Sequence, residues 1–271
     1  MSVDLSKLTV KLNRPLDLDA MPTTLKEGVP NTKSERNALL AKQSPLLSAL
    51  QDQLYSEGKR KILVVLQGMD TSGKDGTIRR VFKDVDPLGV SCASFKAPSN
   101  LELAHDYLWR VHAEVPKAGH MTIFNRSHYE DVLVTYVKKM IDKDELDRRI
   151  RQIVDFERML SETGTVILKF FLHISKEEQR ERLQERLDNP EKHWKFEMSD
   201  LEDRKLWADF RKQYEYVMSR TSTEQAPWIV VPADSKSTRN LVILQVLLRT
   251  LEQMHPHPPV VDTKGWPTKI D

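Results

Sequence analysis

The chain has one cysteine in 271 residues, Cys92. A lone thiol excludes an internal disulfide framework and fits a reducing, cytoplasmic setting. No apolar run reaches the roughly 20 residues that a membrane-spanning helix needs. The opening residues, with Asp4, Lys7 and Lys11 among scattered apolar positions, do not form a signal peptide. Neither charge sign dominates, since 42 Lys and Arg face 40 Asp and Glu. That balance excludes the one-signed field that draws a protein to nucleic acid. Neither a nucleic-acid nor a membrane partner is therefore expected. His and Cys residues nowhere fall at zinc-ligand spacing. Glycine is also scarce, at nine in the whole chain, and three of the nine lie between Gly68 and Gly76.

That cluster carries the strongest signal. An apolar run of strand length, Lys61 to Gln67, flows into Gly68-Met69-Asp70-Thr71-Ser72-Gly73-Lys74-Asp75-Gly76, and helix-compatible residues follow from Thr77 to Phe82. A strand, a Gly-x-x-x-x-Gly-Lys turn and a helix, in that order, are the context of a P-loop. Glycines let successive backbone N–H groups point at phosphate oxygens, the helix adds its positive N-terminal end, and Lys74 supplies a point charge. The phosphate-binding set expected here is Gly68, Met69, Thr71, Ser72, Gly73, Lys74, Asp75, Gly76 and Thr77. The usual loop has a magnesium-binding Ser or Thr after the lysine, where this chain has Asp75. A carboxylate in a phosphate cradle repels phosphate unless a cation lies between them. Asp70 therefore reads as a magnesium ligand or as an orienter of an attacking phosphate. Asp75 also suits a helix N-terminus for electrostatic reasons alone.

Around the loop, strand-like segments at 61–67, 90–95, 120–125, 165–172 and 228–232 alternate with helix-like ones at 101–113, 144–162, 176–188, 201–220 and 237–254. Alternation of this kind implies an α/β fold, a five-stranded parallel sheet flanked by helices, with ligands beyond the carboxyl ends of the strands. Residues 33–57 read as a helix or helix pair interrupted near Pro45. Residues 1–32 read as an arm on the domain or on a neighbouring subunit, 33–255 as the kinase-like domain, and 256–271 as an extended tail.

Two further segments fall at the ligand-bearing edge. After the third strand come Asn125-Arg126-Ser127-His128-Tyr129-Glu130-Asp131. Arg126 suits a forked phosphate contact, and Glu130 and Asp131 are the nearest carboxylates for a metal shell. The same residues also spell a capping box, Ser127 with Glu130, and His128 reads as structural. After the fourth strand, Arg182 and Arg186 share a helix face, Asn189-Pro190 breaks that helix, and Lys192 and Lys195 flank Trp194. At this edge such a segment (about 176–200) reads as a lid whose cations neutralise a moving phosphoryl group and exclude water. Lys83, Lys96 and Lys117 are either ordinary surface lysines or the lining of a path for an anionic chain.

These segments together resemble the polyphosphate kinase 2 family. The matching pieces are the P-loop, Phe124 to Val132, Leu172 to Gln179, Arg182 to Pro190, Lys192 to Phe196 and Trp228 to Ala233, spread over residues 35–255. The resemblance implies a P-loop kinase fold similar to thymidylate kinase, with a helical lid. It implies phosphoryl transfer, dependent on Mg2+ with Mn2+ as a substitute, between inorganic polyphosphate and a nucleotide. Adenine is the expected base, with guanine second, and a homo-oligomer, dimer or tetramer, is the expected assembly. The family's loop aspartate and lysine carry over to Asp70 and Lys74, and its lid cations to Arg182 and Arg186. The catalytic set expected is thus Asp70, Lys74, Arg126, Glu130, Asp131, Arg182 and Arg186, with Asp70 and Asp131 on the metal and Asn125, Lys192 and Lys195 on phosphate or nucleotide. Many relatives have Asp where this chain has Asn125. The Glu130-Asp131 pair resembles the branch that accepts nucleoside monophosphates, so AMP is the expected acceptor, with ADP beside it. An ATP-dependent kinase of similar shape is the competing reading.

Overall fold

The computed structural model describes residues 3–267 and residue 269. Five strands, β1 (Lys61–Gln67), β2 (Val90–Ser94), β3 (Met121–Asn125), β4 (Thr165–His173) and β5 (Trp228–Pro232), form one sheet in the order β2-β3-β1-β4-β5, with every pair parallel. The helices are α1 (Lys33–Glu57), α2 (Lys74–Val81), α3 (Asn100–Leu103), α4 (Trp109–His112), α5 (Val134–Val137), α6 (Lys143–Glu162), α7 (Lys176–Asp188), α8 (Met198–Lys205), α9 (Trp207–Thr221) and α10 (Lys236–Met254). Strands β1 and β4 are buried almost throughout, as a parallel sheet covered on both faces requires. One core lies between the sheet and α1 and α10, and the other between the sheet and α6 and α9. No helix among the described residues is long and apolar enough to cross a membrane.

Helix α1 is continuous through Pro45, contrary to the expected interruption. Leu40, Leu47 and Leu54 recur every seven residues and are fully buried. The helix lies against α10, and that burial offsets the hydrogen bond a mid-helix proline removes. A capping box, Thr32 with Glu35, starts it. The expected 101–113 helix is instead two single turns. Asp106 accepts from the N–H of Leu108, a local side-chain bond that competes with helical pairing. The expected 201–220 helix divides at Leu206 into α8 and α9.

The N-terminal segment packs on its own domain. Val10 donates to the Trp228 carbonyl and Val230 to that of Leu8, so the segment runs antiparallel along the outer edge of β5. The opposite edge strand, β2, has no such cover among the described residues.

Candidate phosphoryl-transfer site

The P-loop leaves the carboxyl end of the central strand β1 and enters α2. Two glycines are required there. Gly68 has φ +155°, and a Cβ on it would lie 2.7 Å from the Ser72 hydroxyl and 2.8 Å from the Leu172 carbonyl. Gly73 has φ +101°, and a Cβ there would overlap the Arg239 guanidinium. Thr71 also lies in the left-handed region, at φ +63°, a conformation costly for a residue with a branched Cβ. Lys74 is buried and donates to the carbonyls of Gly68 (2.8 Å) and Met69 (3.4 Å). Burial, with the nearby Arg126 adding to it, pushes its pKa down to about 8.

Around this loop opens a cleft of about 560 Å³ lined by nine cationic and five anionic side chains. A cleft of that balance, with low-dielectric walls, favours a polyanion even though the whole molecule is nearly neutral. A second, much smaller cavity lies on the other side of the loop, lined by Gly68, Met69, Glu130, Val134, Gln179, Asp203, Phe210 and Tyr214. Two residues line both spaces, Asp70 and Arg126. Arg126 donates to Asp70 (3.1 Å) and to Glu130 (3.3 Å). It holds this place at φ +64°, its N–H bound to the Leu66 carbonyl. With the Gln67 amide nitrogen turned toward it, Glu130 accepts a further bond of 3.0 Å. Burial pushes the Glu130 carboxyl up from its ordinary value, with Arg126 and Lys74 pulling it back.

The structure thus brings Asp70, Lys74, Arg126 and Glu130 together, with Thr71, Gly73, Asp75, Gly76 and Asn125 on the cleft wall. Asn125 donates to Asp75 (2.8 Å). A carboxylate at position 125 would repel Asp75, so the amide suits an aspartate after the P-loop lysine. Met69 lines the smaller cavity instead of the cleft. Ser72 is buried, and Thr77 is buried with its hydroxyl on the Gly73 carbonyl. Neither side chain lines the cleft, and their N–H groups donate to the Met69 (3.0 Å) and Gly73 (2.9 Å) carbonyls, so the phosphate contacts expected of them do not fit.

Asp131 is a correction as well. Its carboxylate pairs with Arg110 (3.4 Å) and lines neither cavity, so a metal-ligand role does not fit it. Arg182 departs further. Its five N–H groups bind Glu178, the carbonyls of Thr71 and Ser72, and those of Ala233 and Asp234. A guanidinium has five donors, and here all are spent. Arg182 clamps the P-loop to the segment after β5 and has no donor left for a moving phosphoryl group. Gln179 ties α7 to the Asp70 carbonyl in the same way (3.1 Å). Arg182 lines the cleft with its donors spent, and the other cations of this region on the cleft wall are Arg186, held by Asp200 (2.9 Å) and the Lys195 carbonyl, with Lys192 and Lys195 beyond it. Trp194 is 71% exposed at the cleft rim. Of the three lysines weighed as a path, only Lys96 lines the cleft.

The comparisons agree with this geometry. A family model described as Polyphosphate kinase 2 (PPK2) matches residues 30–259. A Meiothermus ruber protein named AMP/ADP-polyphosphate phosphotransferase is 53% identical over 249 residues, 91% of this chain and 92% of its own. The chain belongs to the polyphosphate kinase 2 family. The ADP-polyphosphate phosphotransferase of Rhodopseudomonas palustris is 40% identical over 266 residues, 94% of this chain and 92% of its own. The crystal structure of Polyphosphate Kinase 2 from Arthrobacter aurescens TC1 superposes with a TM-score of 0.90 at 41% identity, covering 93% of this chain and 91% of that one. This member of the polyphosphate kinase 2 family is therefore a kinase-type transferase on a P-loop kinase fold.

Sequence reading missed Arg239, in the first turn of α10, which reaches the Ser72 carbonyl (3.1 Å) from 167 residues away. It also missed Gln179 and Asp200. Nothing local marks Arg239 and Gln179, because the sheet brings their partners to them from 167 and 109 residues away, and Asp200 meets Arg186 only once the chain turns back after α7.

Proposed function

We propose that this chain moves the terminal phosphoryl group of inorganic polyphosphate to AMP, and to ADP, making ADP and ATP reversibly. The observation that carries the reading is the pair Asp70–Arg126, shared by a basic cleft and a small adjoining cavity. Donor and acceptor phosphates brought together in the cleft would meet beside this pair, since the adjoining cavity, at about 30 Å³ with Glu130 and Asp203 on its wall, has no room for a phosphate. The acceptor's terminal phosphate oxygen is already a nucleophile, so no strong base is needed. That oxygen bonds to the donor's terminal phosphorus as the bridging P–O bond breaks, and the shortened polyphosphate leaves with the bond's electrons. Positioning and charge neutralisation then account for most of the rate. Lys74 and the P-loop N–H groups hold phosphate oxygens, Arg126 bridges the two chains, and Arg186, Lys192 and Lys195 close the far side.

No set of three His, Cys, Asp or Glu residues among the described ones is arranged to hold a metal by itself. One carboxylate, Asp70, on a phosphate cradle fits Mg2+, or Mn2+, which takes its remaining oxygens from substrate and water. Such an ion bound by Asp70 would screen the repulsion between donor and acceptor. AMP as acceptor is supported by the name of the Meiothermus ruber relative, which also makes adenine nucleotides the substrates to test first. A homo-oligomer, dimer or tetramer, is supported by the open edge of β2, near which Leu88, Leu101 and Leu103 are exposed.

The test is nucleotide formation from AMP, and separately from ADP, with Mg2+ and long-chain polyphosphate and no ATP. The expected result is ADP and then ATP from AMP. Product from ADP alone would overturn the acceptor assignment. Product only when ATP replaces polyphosphate would overturn the donor.

A further inference from the structure

Two buried arginines stand behind the P-loop, and they differ in a way that matters. Arg182 is paired with Glu178 and has all its donors engaged. Arg239 is only 2% exposed, yet no carboxylate pairs with it among the described residues. Its Nε and Nη2 donate to the Asn240 amide oxygen (3.1 and 2.9 Å) and its Nη1 to the Ser72 carbonyl (3.1 Å). Three of the five N–H groups are used, and every acceptor is neutral. A buried charge without a counter-charge is costly. Here the cost is visible, since burial and the neighbouring Arg182 push the guanidinium down to about 9. The side chain also touches the ligand face of the loop. It lines the cleft, excludes any Cβ from Gly73 and lies 3.4 Å from where a Cβ on Gly76 would be.

We infer that Arg239 is a phosphate-binding residue of the P-loop, a cation held without its counter-ion until a phosphate chain supplies one. The inference rests on the reading of the P-loop as a phosphate site. Its ligand is a condensed phosphate group, whether of polyphosphate or of a nucleotide. A purely structural arginine, like Arg182, would instead stabilise the unliganded protein.

The experiment compares thermal unfolding of wild type, Arg239→Gln and Arg239→Lys, each without ligand and with tripolyphosphate or ADP, alongside calorimetric Kd values. Gln removes the charge and keeps a donor for Ser72. The expected result is an unliganded Tm for Arg239→Gln equal to or above wild type. Its rise on adding tripolyphosphate, ADP or both should be lost, with Kd weakened about tenfold or more, and less so in Arg239→Lys. Which ligand loses its effect identifies whose phosphate the residue holds. A lower unliganded Tm with the wild-type rise and Kd retained for both ligands would overturn the inference. If Arg239→Gln does not fold, a wild-type Kd for both ligands in Arg239→Lys overturns it, because Lys has no fork to replace the lost contacts. Failure of wild type itself to bind either ligand would overturn the P-loop reading instead.

Discussion

Lys74 carries the pH dependence of the site. An exposed lysine titrates near 10.4, and burial beside Arg126 brings this one down to about 8. The folded chain therefore releases the Lys74 proton before the unfolded chain does. Below about pH 8 the buried charge costs stability, and this group's contribution becomes more favourable as pH rises from there toward 10.4. Phosphate binding works in the opposite direction, because an anion beside the ammonium raises its pKa. The expected profile has kcat/KM for polyphosphate falling above about pH 8, with the fall in kcat displaced to higher pH. A kcat/KM that stays level to pH 10 would contradict this role. Arg182 shows the converse situation at the same scale. Its residue type and helical spacing suited a phosphate contact, and only the carbonyls of four distant residues reveal that it is a clamp.

Between elements, the turn bearing Glu130 is fixed by a buried polar network. Lys169 on β4 donates to Glu157 on α6 (2.6 Å), to Tyr129 (2.9 Å) and to the Thr221 carbonyl (2.7 Å). Tyr129 and His128, in the same 3-10 turn as Glu130, also bond Glu157 (2.7 and 3.2 Å). Burial alone would raise Glu157, but Lys169 and His128 hold it below its ordinary value. Removing one partner leaves a charge buried and unpaired, at about 3–5 kcal/mol. Lys169→Met should therefore lower Tm by about 10 °C and raise the KM for AMP. Lys169→Met with Glu157→Gln should recover much of the stability, because the amide removes the unpaired charge and keeps an acceptor for Tyr129 and His128. A Tm for the single variant within 2 °C of wild type would contradict the account. The network also marks what the sequence could and could not convey. The run 165–172 announced β4 by its apolar content, and all five strands were legible from such runs and their flanking turns. That Lys169 points into the core was not, because its partners lie on three other segments. The P-loop was legible because its residues act on one another within nine positions. Helix ends were less so at Pro45, Asp106 and Leu206, where packing or one side-chain bond decides the outcome.

The molecule as a whole treats its two sheet edges differently. The N-terminal segment covers β5, while β2 has no such cover among the described residues. An open edge beside exposed leucines is a surface for association. Light scattering coupled to size exclusion should give a mass of two or four chains of 31.4 kDa, and charges introduced at Leu101 and Leu103 should lower it. A single-chain mass at micromolar concentration would contradict this. At the same scale, the chain's near-neutrality hides a cleft whose cations outnumber its anions, so the selectivity for polyanions belongs to the site and not to the surface.

The central claim is that the Asp70–Arg126 junction transfers phosphoryl groups and does not merely bind them. It is tested most directly by Asp70→Asn, with tripolyphosphate binding and turnover of AMP measured side by side. The account predicts binding within a few-fold of wild type and turnover lower by about a hundredfold or more. Near-wild-type turnover in Asp70→Asn would contradict it.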